Sequence, residues 1–291
     1  MTTRTERLLR NIRVSGEIVQ LDFSWAGPPP RGGQFFMVKP KRSGVFLGRP
    51  LSAALWNPGG PDTPENRRRF RGKTYADVEF FKTDTVRFLI APRGRGTREL
   101  AAMAFEDEAE LSGPLGNAWA DVLSPGRKAV ALIGGGIGLA PLLAFAPELA
   151  LDSRPFDLYA GFKTASLDDR RFRQKPGAVS PAERLVRGAD MDARKTLIAA
   201  EDGLAGQKGR IPDFFDPAGY GAVYACGPEP MLRAVAEKCR RAAVPCFISL
   251  ERRMACGVGA CLGCTVRTAH GNRRCCADGP IFSAEEIYFE N

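Results

Sequence analysis

One histidine, His270, is all the imidazole this sequence contains. That count excludes Rieske ligation and two-histidine metal centres, and it argues against Ser–His–Asp hydrolysis. A basic stripe is also missing. The formal charge is +9, yet the excess is diffuse: 19 basic against 14 acidic side chains in residues 1–125, 18 against 14 in 126–245, and 5 against 5 in 246–291. Binding a duplex needs several clustered phosphate contacts, so no nucleic-acid partner is expected. No apolar segment follows the basic residues of MTTRTERLLRNIRV, so no signal peptide is expected. One charge-free run, residues 129–147, approaches the length of a bilayer span. It holds Gly134, Gly135, Gly136, Gly138 and two prolines, and a strand, a tight turn and a short buried helix account for it better. The expected location is the cytoplasm, with no membrane contact.

What the sequence does hold is glycine, proline and a local crowd of cysteine. At 291 residues the chain is too long for one comfortable core, and two or three domains are the natural division. Short alternating runs at 12–14, 17–23, 34–38, 53–56, 76–81 and 85–91, broken by Gly and Pro, predict an antiparallel β-barrel. A Pro- and Arg-rich insertion at 58–73 reads as a solvated hairpin loop, with docking to an acidic partner as the alternative. Ser124-Pro125-Gly126 marks a boundary. Beyond it, strands at 128–133, 156–160, 195–199 and 222–225 alternate with helices at 139–151 and 230–243, which implies a parallel sheet with crossovers. Residues 246–291 are too few to bury a core of their own and need a metal cluster for stability. The expected organisation is therefore multi-domain: a barrel over 1–124, an α/β nucleotide domain over 125–245 and a small cluster domain over 246–291.

Five of the eight cysteines lie in residues 256–276. In a cytoplasmic chain such crowding points to a metal before disulfides. The array Cys256-x4-Cys261-x2-Cys264-x11-Cys276 has the plant-type 2Fe-2S spacing, four thiolates for two irons. Tetrahedral zinc is the alternative, although zinc ribbons present two C-x2-C pairs. Gly257, Gly259 and Gly263 let the loop wrap and turn N–H groups toward sulfur. Cys275 adjoins Cys276 and competes for the fourth position; in an extended chain the two would point apart, so only one can bind. Cys239 and Cys246 read as buried thiols.

Three further motifs suggest cofactor contacts. GGGIGLAP, residues 134–141, follows an apolar strand and suits a pyrophosphate at a helix N-terminus, or a turn that merely packs strand on helix. It departs from G-x-G-x-x-G, and no acidic residue about 20 positions on stands out beyond Asp152 and Asp157, which disfavours an ordinary dehydrogenase domain. Cys226, Gly227 and Pro228 end a strand and open a helix, where open α/β sheets bind ligands; a thiol there can lie against a nicotinamide ring, and a plain turn is the alternative. In the barrel half, Arg49, Pro50, Leu51 and Ser52 offer a guanidinium fork for phosphate and a hydroxyl for a ring heteroatom.

Together these motifs resemble the ferredoxin-reductase superfamily, and within it the electron-transfer subunits of NAD-linked (class 1B) dihydroorotate dehydrogenase. The resemblance runs nearly end to end, through GGQFFMVKP (32–40), GRPLS (48–52), GRGTREL (94–100), SGPLGN (112–117), GGGIGLAPLL (134–143), EDGLAGQKGRI (201–211), YACGPEPML (224–232), SLERRMACGVGACLGC (249–264) and CADGPIF (276–282). The last two are the most specific, and they select Cys276 over Cys275 as the fourth ligand. The resemblance implies FAD in the barrel, with Arg49 and Ser52 as flavin contacts and Gly96 and Thr97 at its diphosphate. It implies NAD against Gly135, Gly136 and Gly138, with Cys226 at the reactive ring. It also implies an FMN-containing, dihydroorotate-oxidising catalytic subunit as partner in a heterotetramer of two plus two, acting in pyrimidine biosynthesis. A related reductase serving ferredoxin, an oxygenase or a bifurcating complex is the alternative. The insertion at 58–73 departs from the usual short connection, and Leu51 stands where Phe or Tyr is common. No acid–base residue is required, in keeping with the single histidine.

Overall fold

Six strands of the first half close into an antiparallel barrel in the order β1-β2-β5-β4-β3-β6: β1 (Thr2–Arg13), β2 (Val19–Ser24), β3 (Phe35–Pro40), β4 (Arg49–Asn57), β5 (Thr85–Ile90) and β6 (Glu108–Leu115). The structure is a computed structural model and describes residues 2–14, 18–57, 84–123, 125–164, 185–186 and 192–289. Alternation of side chains across the strands buries Leu8, Leu21, Phe23, Phe36, Phe88 and Leu111 inside the barrel. Phe36 meets Trp25 edge-on at 4.9 Å and Phe88 at 5.5 Å. A helix, α1 (Arg95–Ala101), links β5 to β6.

One expectation needs correction. The first strand begins at Thr2, not at residue 12, and runs along β6 and then β2. Only Glu6 and Leu8 are buried along it, so it carries almost no apolar alternation to read. Helix α1, hidden in GRGTREL, and strand β6 were also not legible as elements. The strand expected at 76–81 and the insertion at 58–73 lie outside the described residues.

The second half builds one seven-stranded sheet of order β10-β9-β8-β7-β11-β12-β15. Its strands are β7 (Val130–Gly135), β8 (Phe156–Phe162), β9 (Lys195–Ala200), β10 (Gln207–Lys208), β11 (Ala222–Cys226), β12 (Cys246–Ser249) and β15 (Ile281–Ser283). All neighbours are parallel except β15 against β12. Helix α2 (Ala140–Leu151) follows β7, and α3 (Glu229–Arg241) joins β11 to β12. The charge-free run at 129–147 is thus strand, turn and buried helix, and no helix among the described residues is long and apolar enough to cross a membrane. The sheet runs across residue 245: β12 pairs with β11, and β15 with β12. Between β12 and β15 hang the cysteine loop, a hairpin of β13 (Thr265–Thr268) and β14 (Gly271–Arg274), and the short helix α4 (Cys275–Asp278). The cysteine segment therefore hangs from the edge of the larger sheet.

Close backbone approaches lock the halves together. A Cβ on Gly32 would stand 2.7 Å from the Phe145 Cα of α2, and the Gly32 N–H donates to the Glu148 carboxylate at 2.6 Å. Burial raises the Glu148 pKa, and that N–H opposes the rise. Beyond β6, Asn117 clasps the C-terminal segment. Its main-chain N–H donates to the Gly279 carbonyl at 2.8 Å, and its side chain exchanges hydrogen bonds with the Ile281 main chain at 2.8 and 3.0 Å. These contacts explain why GGQFF and SGPLGN behave as motifs although neither lines a cofactor site over its whole length.

Candidate functional site

Between barrel and sheet lies a cavity of about 670 Å³, a size suited to a cofactor. Its barrel wall is Arg49, Pro50, Leu51 and Ser52 of β4, with Gly94 and Thr97 at the start of α1. Its sheet wall is built where parallel strands end, the usual ligand position in open α/β sheets. Ile137 comes from the turn after β7, Ala140 from the start of α2, Cys226 from the end of β11, and residues 249–254 from the end of β12 and the segment that follows it. In register, Cys226 stands opposite both Gly134 and Ser249, so three motifs far apart in sequence share one rim.

Arg49 and Gly96, 47 positions apart in the numbering, are in contact. A Cβ on Gly96 would sit 2.3 Å from Arg49 Nε, so only glycine lets the guanidinium lie over the first turn of α1. The Thr97 hydroxyl and the Gly94 main chain exchange hydrogen bonds at 3.1 Å, which fixes that turn. The Arg49 guanidinium donates a long hydrogen bond, 3.4 Å, to the Gly48 carbonyl. A cation beside the start of a helix suits a phosphate, and Leu51, Ile137 and Met254 offer an apolar surface for a ring.

The glycine-rich turn divides its labour. A Cβ on Gly138 would meet the Cys226 carbonyl oxygen at 2.4 Å, and one on Gly135 would meet Pro228 Cδ at 2.7 Å and Met231 Sδ at 2.8 Å. These two glycines press the turn onto the Cys226-Gly227-Pro228 segment. Gly136, at φ +56, faces open space. Gly138→Ala should therefore cost about 1–3 kcal/mol of stability through overpacking, read as a lowered midpoint in thermal or denaturant unfolding. An unchanged midpoint would mean that the two loops part without cost.

Cys226 is 3 % exposed. Burial, and secondarily the Glu251 charge, pushes its thiol far above the ordinary range, against a hydrogen bond with Ser249. The thiol is neutral, a surface on which an aromatic cation can rest without forming an ion pair. Burial likewise raises the Glu251 carboxyl, with Arg93 opposing.

The cysteines of the C-terminal segment stand as two pairs. Cys261 lies close enough to Cys256, and Cys264 to Cys276, to perturb the ionisation of its neighbour. Main-chain N–H groups aim at the sulfurs: Val258 at Cys256 (3.4 Å), Gly259 at Cys276 (3.1 Å) and Cys276 at Cys264 (3.4 Å). The first of these, with others from the same loop, lowers the Cys256 thiol to about 6. Cys276 is pushed up to about 12 by burial and by Cys264; a bound cation reverses that direction. Gly257 and Gly259 adopt φ of +72° and +82°, and a Cβ on them would lie 2.7 Å from Met37 Cγ and 2.9 Å from Ala277 Cβ. Among the described residues no three metal-ligating side chains are already gathered on one ion. Two thiol pairs, each receiving N–H donors, fit a two-iron centre with two thiolates per iron.

Cys275 turns elsewhere. Its thiol donates to the Leu250 carbonyl at 3.1 Å. The expectation that neighbouring cysteines diverge holds, but its stated ground does not: residues 275 and 276 lie in α4 rather than an extended strand, and helical side chains diverge by about 100° per residue. Sequence reasoning also missed residues 249–254 as a cavity wall. They carry no cofactor signature of their own, and their one signal was contiguity with the cysteine loop. Met254 lines the cavity two positions before Cys256, and Gly257 packs on Met37, the register partner of Pro50. The cavity and the thiols thus share a wall.

Residues 251–288 match the family model described as the iron-sulfur cluster binding domain of dihydroorotate dehydrogenase B. The chain is 36% identical over 259 residues to the dihydroorotate dehydrogenase B (NAD(+)) electron transfer subunit of Clostridium perfringens, covering 88% of this chain and 87% of that one. It is 32% identical over 289 residues to the subunit of the same name from Caldanaerobacter subterraneus subsp. tengcongensis, covering 97% of each. Among solved structures, an NADH-dependent reduced ferredoxin-NADP oxidoreductase aligns with TM-score 0.69 at 22% identity over 98% of this chain and 90% of that one. A ferredoxin NADP+ reductase from Neisseria gonorrhoeae with bound FAD and NADP aligns with TM-score 0.59 at 14% identity, over 83% and 92%. The two structures establish the shared fold.

Proposed function

The chain belongs to the family of dihydroorotate dehydrogenase B (NAD(+)) electron transfer subunits, and from that premise we propose that it passes electrons between a 2Fe-2S cluster and NAD by way of FAD, in pyrimidine biosynthesis. The observation that carries the reading is the shared wall: one short segment, residues 249–256, lines the cavity at its start and supplies a cluster thiol at its end. When bound, FAD supplies the conversion between the two-electron chemistry of nicotinamide and the one-electron chemistry of an iron–sulfur centre.

The chain's own residues bind and orient. Arg49, with Gly96 and Thr97, holds the flavin diphosphate; Pro50, Leu51 and Ser52 border the ring. Gly136 leaves room for the dinucleotide, and Gly135 and Gly138 bring the turn down onto Gly227 and Pro228 so that both loops face one ligand. Cys226 offers its neutral thiol to the nicotinamide. Cys256, Cys261, Cys264 and Cys276 hold the two irons. The work divides among residues 1–124 for FAD, 125–245 for NAD and 246–291 for the cluster. The partner is a catalytic subunit that oxidises dihydroorotate on FMN, in a two-plus-two heterotetramer in the cytoplasm.

Purified without oxygen, the chain should show flavin absorption and about two irons per polypeptide. Co-expressed with its partner it should support dihydroorotate-dependent NAD reduction. A colourless preparation, or zinc at the thiols, defeats the reading. NADH-driven reduction of a free acceptor with no dihydroorotate activity would instead assign the chain to a reductase of the ferredoxin or oxygenase type.

A further inference from the structure

Cys275 joins the cavity wall to the cysteine segment. It is fully buried, at 0 % exposure, and is the first residue of α4. Its main-chain N–H donates to the carbonyl of Cys264 at 3.0 Å, and its neighbour Cys276 supplies the other thiol of that pair. Its side chain reaches the opposite way and donates to the Leu250 carbonyl at 3.1 Å. Leu250 is in turn held by its own N–H on the Pro280 carbonyl at 2.9 Å. Both Leu250 and Pro280 line the cavity.

Residues 250–254 have no regular secondary structure, so no ladder of hydrogen bonds sets their position. Such a segment stays where its ends and its few ties hold it. One end continues into β12 and the other into the cysteine loop. The Cys275 thiol is the side-chain tie at its start. A thiol suits this place because it is small and apolar enough to be wholly buried while still carrying one weak donor.

We propose that Cys275 is a positioning residue for electron passage: by holding the Leu250 carbonyl, it sets the distance between the flavin cavity and the cysteines that carry the cluster. The inference rests on the function proposed above. It makes a hydrogen bond, rather than packing alone, responsible for the spacing.

Two variants separate those causes. Cys275→Ser keeps a donor and loses apolar volume; Cys275→Val keeps apolar volume and loses the donor. Each full-length chain, purified without oxygen, is assayed for iron, for retained FAD, for the EPR signature of the reduced cluster, and for the rate of cluster reduction after mixing with NADH. Cys275→Val should keep its iron and FAD but show a shifted EPR signature and roughly tenfold slower cluster reduction, the scale expected of a small displacement of reacting groups. Cys275→Ser should keep the wild-type signature and stay within about threefold of the wild-type rate. A wild-type rate and signature in Cys275→Val overturns the proposal, as does equal slowing of both variants. If Cys275→Val is recovered without iron, Cys275→Ala takes its place under the same criteria. Iron lost from the Ala and Val variants but kept in Ser supports the tie, and iron lost from Ser as well overturns it. A wild-type chain without a cluster signal or flavin reduction defeats the proposed function instead, so the two failures are distinguishable.

Discussion

A Cys261→Ser chain should purify with its flavin and without its cluster. Cys261 is the exposed member of the four thiols and pairs with Cys256. A serine hydroxyl stays protonated near neutral pH and is a poor replacement for thiolate, which leaves the centre three good ligands. The effect should exceed the roughly 10–100-fold losses typical of changes beyond the ligands themselves. Residue 261 lines no part of the cavity, so NADH should still reduce the flavin at a rate close to wild type. Electron passage between the flavin and the partner subunit should stop. Iron analysis, EPR of the reduced chain and stopped-flow flavin reduction read these outcomes separately. Equal electron transfer to the partner in variant and wild type would refute the role given to the thiols.

The second large effect is expected at Arg49. Its guanidinium rests over the first turn of α1, in contact with Gly96, and in the proposed function it is the cation for the flavin diphosphate. Removing a charged hydrogen-bond partner of this kind costs about 2–4 kcal/mol of binding, or roughly 30- to 1,000-fold in Kd. Arg49→Ala should therefore lose FAD on gel filtration while its cluster remains. Arg49→Lys should recover only part of the affinity, because an ammonium is a point donor and not a planar fork. Gly96→Val approaches the same contact from the other side, since its first side-chain carbon would lie only 2.3 Å from Arg49 Nε. A fluorescence titration giving Arg49→Ala the wild-type Kd would move the diphosphate site elsewhere.

The role of Cys275 shows why cysteine spacing alone does not give function. Three of the four cysteines proposed to hold the cluster sit on a loop of nine residues, 256–264, and the reach of so short a chain restricts what they can surround. Spacing was therefore informative about them. Whether Cys275 or Cys276 completes the set depends on the turn of α4, a local feature with no apolar period to announce it. The glycine-rich turn is similar. Its position after an apolar strand was legible, but the division between Gly135 and Gly138, pressed against Cys226 to Met231, and Gly136, open at φ +56, depends on a loop more than 80 positions away.

The sequence by itself determined the barrel-then-sheet order, the cysteine array and the presence of two glycine-bearing strand ends, because each is written in short-range pattern: alternation, turn residues and ligand spacing. Tertiary structure alone decided that β1 starts at Thr2, that β12 and β15 join the nucleotide sheet, and that residues 249–254 form a wall common to the cavity and the cysteine loop. Those features arise from register between distant strands and from close backbone contacts such as Gly32 on Phe145 and Gly257 on Met37. Such contacts are set by the summed packing of the whole chain and leave no local periodicity to read.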